Sequence, residues 1–264
     1  MKIAILGSGN VATHLGKALI KAGHPVMQVW SRNHNHAIDL ALEIGANSIP
    51  EIKNIKAHID VVIVAVTDDA IAKVASQIPE QENRLILHTS GSTNLEVLSS
   101  RFENVGVLYP LQTFSKNSDL DFSLIPLCLE ANNDWAMQQL ECLAKQLSNQ
   151  VQRVNSDARA MLHVAAVFAC NFTNFFYCIA QQLTDAVQLD FSLLHPLIQE
   201  TTDKAMLNNP VDVQTGPARR DDKQTMQKHS DLLKNQLQLQ ALYQSISQYI
   251  VKMYHPNGLR EINS

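Results

Sequence analysis

The apolar positions of this chain change period once, near residue 154, and the change divides the sequence in two. Before it, short runs rich in branched aliphatic residues alternate with helical stripes. Residues 2–6, 26–30, 61–66, 84–88, 105–109, 127–129 and 151–154 read as strands. The run at 61–66 is continuous and β-branched, as a strand buried on both faces of a parallel sheet must be. Between the strands, Val11, Leu15, Ala18 and Leu19 form one helical stripe closed by Gly23, and further helices are expected at 35–43, 70–77, 95–102 and 134–147. Thr67-Asp68-Asp69 is positioned to cap the helix at 70–77. Such alternation predicts an α/β fold with a doubly wound parallel sheet of the Rossmann type, with six or more strands.

Beyond residue 154 the alternation stops. Residues 158–187 form one long helical pattern, dense enough in apolar side chains to suggest burial on more than one face. A second helix is expected at 191–207 with Pro196 in its first turns, then an irregular loop at 208–220. A third, long amphipathic helix with a glutamine-rich face spans 221–253, and the tail from Pro256 is expected to be loose. The domain expectation is a nucleotide-binding unit over 1–154 and an all-α unit over 155–264. Helices this apolar carry more surface than a small bundle hides, so the all-α unit is expected to form a homodimer.

Composition narrows the partners. The 264 residues include 21 Lys and Arg against 25 Asp and Glu, a net charge of −4, which offers no basic surface for nucleic acid or an anionic membrane. Cys128, Cys142, Cys170 and Cys178 contain no C-x-x-C pair and read as reduced core residues, with no metal site or disulfide framework. The chain starts directly with a strand and shows no uninterrupted apolar run of bilayer length, so a cytoplasmic protein with no membrane partner is expected.

The chemistry begins at Gly7-Ser8-Gly9-Asn10-Val11-Ala12, a G-x-G-x-x-A turn between a strand and a helix. The first glycine allows the sharp turn, the second removes a side chain where a pyrophosphate approaches, and Ala12 keeps the helix close to the sheet. The free amides of the helix then face the phosphates, which makes Gly7, Ser8, Gly9, Asn10 and Val11 cofactor-binding candidates. An NAD site usually carries an Asp or Glu about 20 residues after the glycines. Here the second strand ends in Ser31-Arg32-Asn33. A hydroxyl and a guanidinium pair with a 2′-phosphate that a carboxylate would repel, so Ser31 and Arg32 select NADP.

These residues, with Asp60-Val61-Val62-Ile63-Val64-Ala65-Val66, resemble the amino-terminal domain of pyrroline-5-carboxylate reductase and of NADP reductases that use a deazaflavin. Four further stretches look like a bacterial family of Rossmann proteins whose helical carboxy-terminal domain has no known function. They are His88-Thr89-Ser90-Gly91-Ser92, Tyr109-Pro110-Leu111-Gln112-Thr113-Phe114, the residues from His163 to Phe172, and Gln214-Thr215-Gly216-Pro217-Ala218-Arg219-Arg220-Asp221. The resemblance spans nearly the whole chain and implies an NADP(H)-dependent oxidoreductase without supplying a substrate. It also implies that Ala65, Val66 and Thr67, then Thr89, Ser90 and Gly91, lie along the pyrophosphate and nicotinamide. Pyrroline-5-carboxylate reductases carry a Met-Pro-Asn stretch after the next strand, where this chain has Tyr109-Pro110-Leu111-Gln112, which puts a proline-carboxylate-like substrate in doubt.

Hydride transfer to a carbonyl or imine calls for a proton donor, and histidine suits neutral pH. Of ten histidines, His14, His24, His34, His36, His58 and His255 are expected to be solvated, and His195 and His229 lack a supporting motif. His88 ends a buried strand at the ligand edge. His163 lies early in an apolar helix where, at 100° per residue, Ser156, Arg159 and Asn174 share its side and Asn171 flanks it. In the β-hydroxyacid dehydrogenases, which resemble this plan, a lysine on the first long helix is the acid. No lysine occurs here between Gln146 and Thr202, so His163 and Asn171 are the candidates to replace it, with His88, Ser90 and Gln112 completing the catalytic set. Gln214 and Arg219, in the Gly-Pro loop, are the substrate-binding candidates, suited to an anion. The expected activity is reduction or oxidation of a small carbonyl or imine compound between the two domains. The competing expectation is a non-catalytic NADP sensor or scaffold, which the missing lysine favours.

Overall fold

The computed structural model describes residues 1–115 and 120–255; the expectation for the tail from Pro256 lies outside them. The chain forms two compact units, Met1–Cys178 and Ile179–Ser264, so the division falls inside the long helix that begins the all-α half rather than at its start.

The first unit is built on an eight-stranded sheet. Its strands are β1 (Ile3–Leu6), β2 (Val26–Trp30), β3 (Asn47–Ser48), β4 (Val61–Val64), β5 (Leu85–His88), β6 (Val105–Pro110), β7 (Leu127–Ala131) and β8 (Val151–Arg153), in the order β3-β2-β1-β4-β5-β6-β7-β8. All neighbours are parallel except β6 and β7, which pair antiparallel. The sheet is mainly parallel, as expected of a Rossmann fold, with this one antiparallel pair. A parallel connection needs a crossover helix, and the described part of the β6–β7 link contains only the 3-10 turn Phe122–Leu124. Strand order reverses at β1, so the ligand crevice of this fold lies beyond the carboxyl ends of β1 and β4.

Alternation along the strands gives two cores, one per face. Ile3, Ile5 and Ile63 meet Leu15 and Leu19 of α1 (Asn10–Lys21), Leu40 and Ile44 of α2 (His34–Ile44), and Leu140 of α5 (Asp134–Leu147). On the other face Leu6, Val62, Val64 and Val107 meet Ile71 and Val74 of α3 (Ile71–Ala75) and Leu98 of α4 (Glu96–Ser99). α3 is shorter than the pattern suggests because its first turn is a 3-10 turn, Asp68–Ala70, and the Thr67 side chain makes no cap. α2 stops at Gly45, which takes the left-handed conformation at φ 69°.

A thirty-residue helix follows, Ser156–Asp185. It consists of α6 (Ser156–Ala166), a π-helical stretch (Val167–Phe172) and α7 (Thr173–Asp185), the last spanning the division between the units. Burial on more than one face was expected; instead Met161, Val164, Phe168, Phe172, Phe175 and Phe176 are exposed, Met161 by 69% and Phe168 by 64%. By length and composition this helix is apolar enough to cross a membrane, which corrects the expectation that no segment is. Asn171, Thr173 and Asn174 interrupt the apolar run without lowering its average below that level.

The second unit continues with α8 (His195–Leu207), with Pro196 in its first turn, then α9 (Pro210–Val213), a 3-10 turn at Ala218–Arg220, α10 (Lys223–Leu232) and α11 (Leu237–Tyr254). The single helix expected at 221–253 is thus a pair broken between Leu232 and Leu237. The glutamine-rich face is the contact between its halves: Gln240 Nε2 donates to Ser230 O at 2.7 Å and Gln244 Nε2 to Ser230 Oγ at 2.8 Å.

Candidate active site

Gly7 leaves β1 with φ 134°, and a Cβ there would stand 2.0 Å from Ala65 O at the end of β4, so no other residue fits. Gly9 is the opposite case. It is exposed, and a Cβ would meet nothing within 4 Å, so the face over the first amides of α1 is open. A pyrophosphate fits that opening. Ser8 Oγ donates to Ser31 Oγ at 2.8 Å, joining the glycine turn to the end of β2, where Arg32 is exposed. The fold therefore gathers Gly7, Ser8, Gly9, Asn10, Val11, Ser31, Arg32, Ala65, Val66 and Thr67 at the carboxyl edge of β1, β2 and β4. The Asn10 side chain is engaged elsewhere: Nδ2 donates to Phe114 O at 2.7 Å.

Further along the same edge, His88 is fully buried at the end of β5. Its Nδ1 accepts the Ser90 amide at 3.2 Å, which puts the ring hydrogen on Nε2, a buried atom with no hydrogen-bond partner among the described residues. Burial, aided by the Arg159 charge and opposed by Asp68, pushes its pKa down to about 4. His88 is neutral at pH 7 and is excluded as a charged acid. Ser90 is buried as well, and its Oγ accepts the amides of Ser92 and Thr93 at 3.1 and 2.9 Å, which shapes the turn.

That turn brings Gly91 against a pair of aromatic side chains. Tyr109 Oη and His163 Nδ1 lie 3.0 Å apart, with the rings at 77° and their centroids 6.0 Å apart. Burial, with Cys128 as a smaller contributor, pushes the Tyr109 phenol up to about 12, so it stays protonated. Among the described residues the His163–Tyr109 bond is the one hydrogen bond of the His163 ring. Tyr109 had no individual place in the sequence reading. Its signals were its place at the end of a strand before Pro110 and at the head of the Tyr109–Phe114 stretch.

One turn before His163, Arg159 is 1% exposed. Nη1 donates to Glu130 Oε2, and Nη2 donates to Thr93 O and to Ser156 Oγ. Ser156 completes the cluster, giving its amide to Glu130 Oε1 at 3.0 Å and its hydroxyl to Glu130 Oε2 at 2.9 Å.

The remaining candidates are exposed or engaged with their neighbours. Asn171 is exposed on the π-helical stretch, which takes it off the 100° wheel that placed it beside His163, and Asn174 is exposed too. Gln112 is exposed, with Oε1 accepting the Thr113 amide at 2.8 Å. Gln214 and Arg219 belong to the second unit. Gln214 Nε2 donates to Thr215 O at 3.0 Å, and the Arg219 guanidinium lies 4.1 Å above the Tyr254 ring. Two histidines expected in solvent are buried. His14 Nε2 lies 2.8 Å from Ser115 O, and His24 bridges the Met1 amino group and Gln146 Oε1. Cys128 is buried, but Cys142, Cys170 and Cys178 are exposed, which corrects the core reading; all four are free thiols.

Residues 2–90 match the family described as NADP oxidoreductase, coenzyme F420-dependent, and residues 125–250 match a domain of unknown function, DUF2520. The crystal structure of a "putative NADP oxidoreductase" from Bacteroides fragilis is 37% identical over 95% of this chain and 98% of its own, with a TM-score of 0.89. This chain belongs to that NADP oxidoreductase family. A Thermotoga maritima protein at 20% identity (96% of this chain, 99% of its own, TM-score 0.79) shares the fold. So does an imine reductase from Myxococcus stipitatus in complex with NADP+, at 13% identity (99% and 95%, TM-score 0.66). No curated protein matches the chain. The family's cofactor is NADP, in keeping with a second strand that ends in Ser31-Arg32 without an acid.

Proposed function

We propose that this protein transfers a hydride between NADP(H) and a small carbonyl or imine compound, with His163 moving the proton. The hydrogen bond between Tyr109 and His163 beside Gly91 carries the reading. Gly9 and the first amides of α1 receive the pyrophosphate, while Ser31 and Arg32 hold the 2′-phosphate. The bound cofactor supplies or accepts hydride at its nicotinamide. His163, protonated on both nitrogens, gives its Nε2 proton to the substrate oxygen or nitrogen as hydride reaches the adjacent carbon. Its Nδ1–H stays donated to Tyr109 Oη, so the neutral ring left behind keeps its orientation. In the oxidative direction Nε2 takes that proton back.

We also infer a cytoplasmic homodimer in which a second copy covers the exposed apolar side of Ser156–Asp185. Arg159 and Ser156 bind the first turn of this helix to Glu130 of the sheet, which suits a domain helix better than a membrane span.

Oxidation of NADPH is to be followed against cyclic imines, ketones with amines, and 2-keto acids, with a deazaflavin as a separate arm. Turnover with one member, lost in His163→Ala and kept in a variant of the exposed His34, supports the enzyme. Tight NADPH binding without turnover of any acceptor favours the sensor instead. Absence of NADPH binding by folded protein removes the cofactor assignment.

A further inference from the structure

Arg159 is the largest of the fully buried side chains, in a position where arginine is rare. Burying a guanidinium is costly unless it is paired and its remaining hydrogens find acceptors. Here it joins three elements: Glu130 on β7, Ser156 on its own helix, and the carbonyl of Thr93 in the turn after β5. That turn is closed by Ser90 and contains Gly91, whose Cβ would stand 2.8 Å from His163 Nδ1 and 2.8 Å from Tyr109 Cζ. His163 lies four residues after Arg159, on the same side of α6. The guanidinium is therefore a direct link between the turn that carries Gly91 beside the His163–Tyr109 pair and the helix that supplies His163.

We propose that Arg159 is a positioning residue for His163: it sets the separation of α6 and the 90–93 turn, and so fixes the ring nitrogen that meets Tyr109. Lysine is not an equivalent. Its ammonium is a single charge centre, whereas the two terminal nitrogens of arginine reach Glu130 and Thr93 in different directions. Glu130 holds the arginine, and Ser156 holds Glu130. The catalytic meaning of this positioning rests on the proposed function, but the positioning itself can be read without turnover.

The test uses full-length protein carrying 15N-labelled histidine, with the His163 ring signals identified by their loss in His163→Ala. Tyr109→Phe defines the spectrum of His163 without its partner. Arg159→Lys and Glu130→Gln are expected to shift the His163 ring nitrogens towards that spectrum, while NADPH affinity, set at the distant glycine turn, is unchanged. Where a cyclic imine turns over, kcat falls about 100-fold, the loss expected of a displacement on the order of 1 Å, and KM for NADPH holds. Ser156→Ala keeps the ion pair and is expected to give a smaller shift in the same direction; it serves if the other variants do not fold. His163 signals identical to wild type in folded Arg159→Lys, or in Ser156→Ala if that alone folds, overturn the proposal. Signals that ignore Tyr109→Phe, or a wild type inert towards every acceptor, count against the proposed function instead.

Discussion

A methyl group at residue 91 would crowd His163 Nδ1 and Tyr109 Cζ together, each at 2.8 Å and both on rings that cannot fold away. Gly91→Ala is therefore expected to lower stability by about 1–3 kcal/mol in thermal unfolding and to abolish turnover. His88 gives a second residue-level expectation. Unfolded, its imidazole takes up a proton below about pH 6.5; folded, it does so only near 4, so the unfolded chain binds more protons between those values. Stability should fall by about 3 kcal/mol as pH drops through that window, and His88→Asn should flatten the dependence of melting temperature on pH. His163 was legible in the sequence because it is a polar residue on an apolar helix. Tyr109 was not, since an aromatic residue ending a strand reads as core until the fold places a histidine against its hydroxyl.

At the level of elements, the glycine turn separates two roles that one motif conflates. Gly7→Ala puts a Cβ into Ala65 O and should leave little folded protein by circular dichroism. Gly9→Ala meets nothing, so it should fold normally yet bind NADPH at least about tenfold more weakly, because the added methyl stands in the pyrophosphate's path. The opening β1–α1–β2 unit was legible because strand period, glycine spacing and helical stripe agree at every residue. Direction was not: Leu127-Cys128-Leu129 has the same apolar pattern whichever way β7 runs, and the reversal shows only in the pairing with β6, across a link whose described part holds no α-helix. The break between α10 and α11 was hidden because the glutamines continue the helical period across it while serving as the contact between two helices.

For the whole molecule, the exposed phenylalanines of the long helix set the expectation. A cluster of this kind on a soluble protein marks a surface that another body covers. Sedimentation should give a species of about 59 kDa, twice the 29.4 kDa chain, and Phe168→Glu with Phe172→Glu should return the monomer. The abundance of apolar surface, and the expectation that a second copy covers it, were legible in the sequence; which side chains stay uncovered within one chain was not, since composition does not say whose atoms will cover a helix.

The π-helical stretch at Val167–Phe172 has a consequence for how the protein can be altered. A π-turn holds more residues than an α-turn, so removing one residue from it, such as Ala169, can restore a regular helix without breaking the chain's path. His163, upstream, would keep its bond to Tyr109, and Phe175 and Phe176, downstream, would keep their face of the helix, because the extra residue of a π-turn adds no net rotation. A single codon deletion is thus expected to preserve both self-association, read by sedimentation, and the state of the His163 ring, read by 15N spectra. Few points in a helix can lose a residue without turning the face that follows.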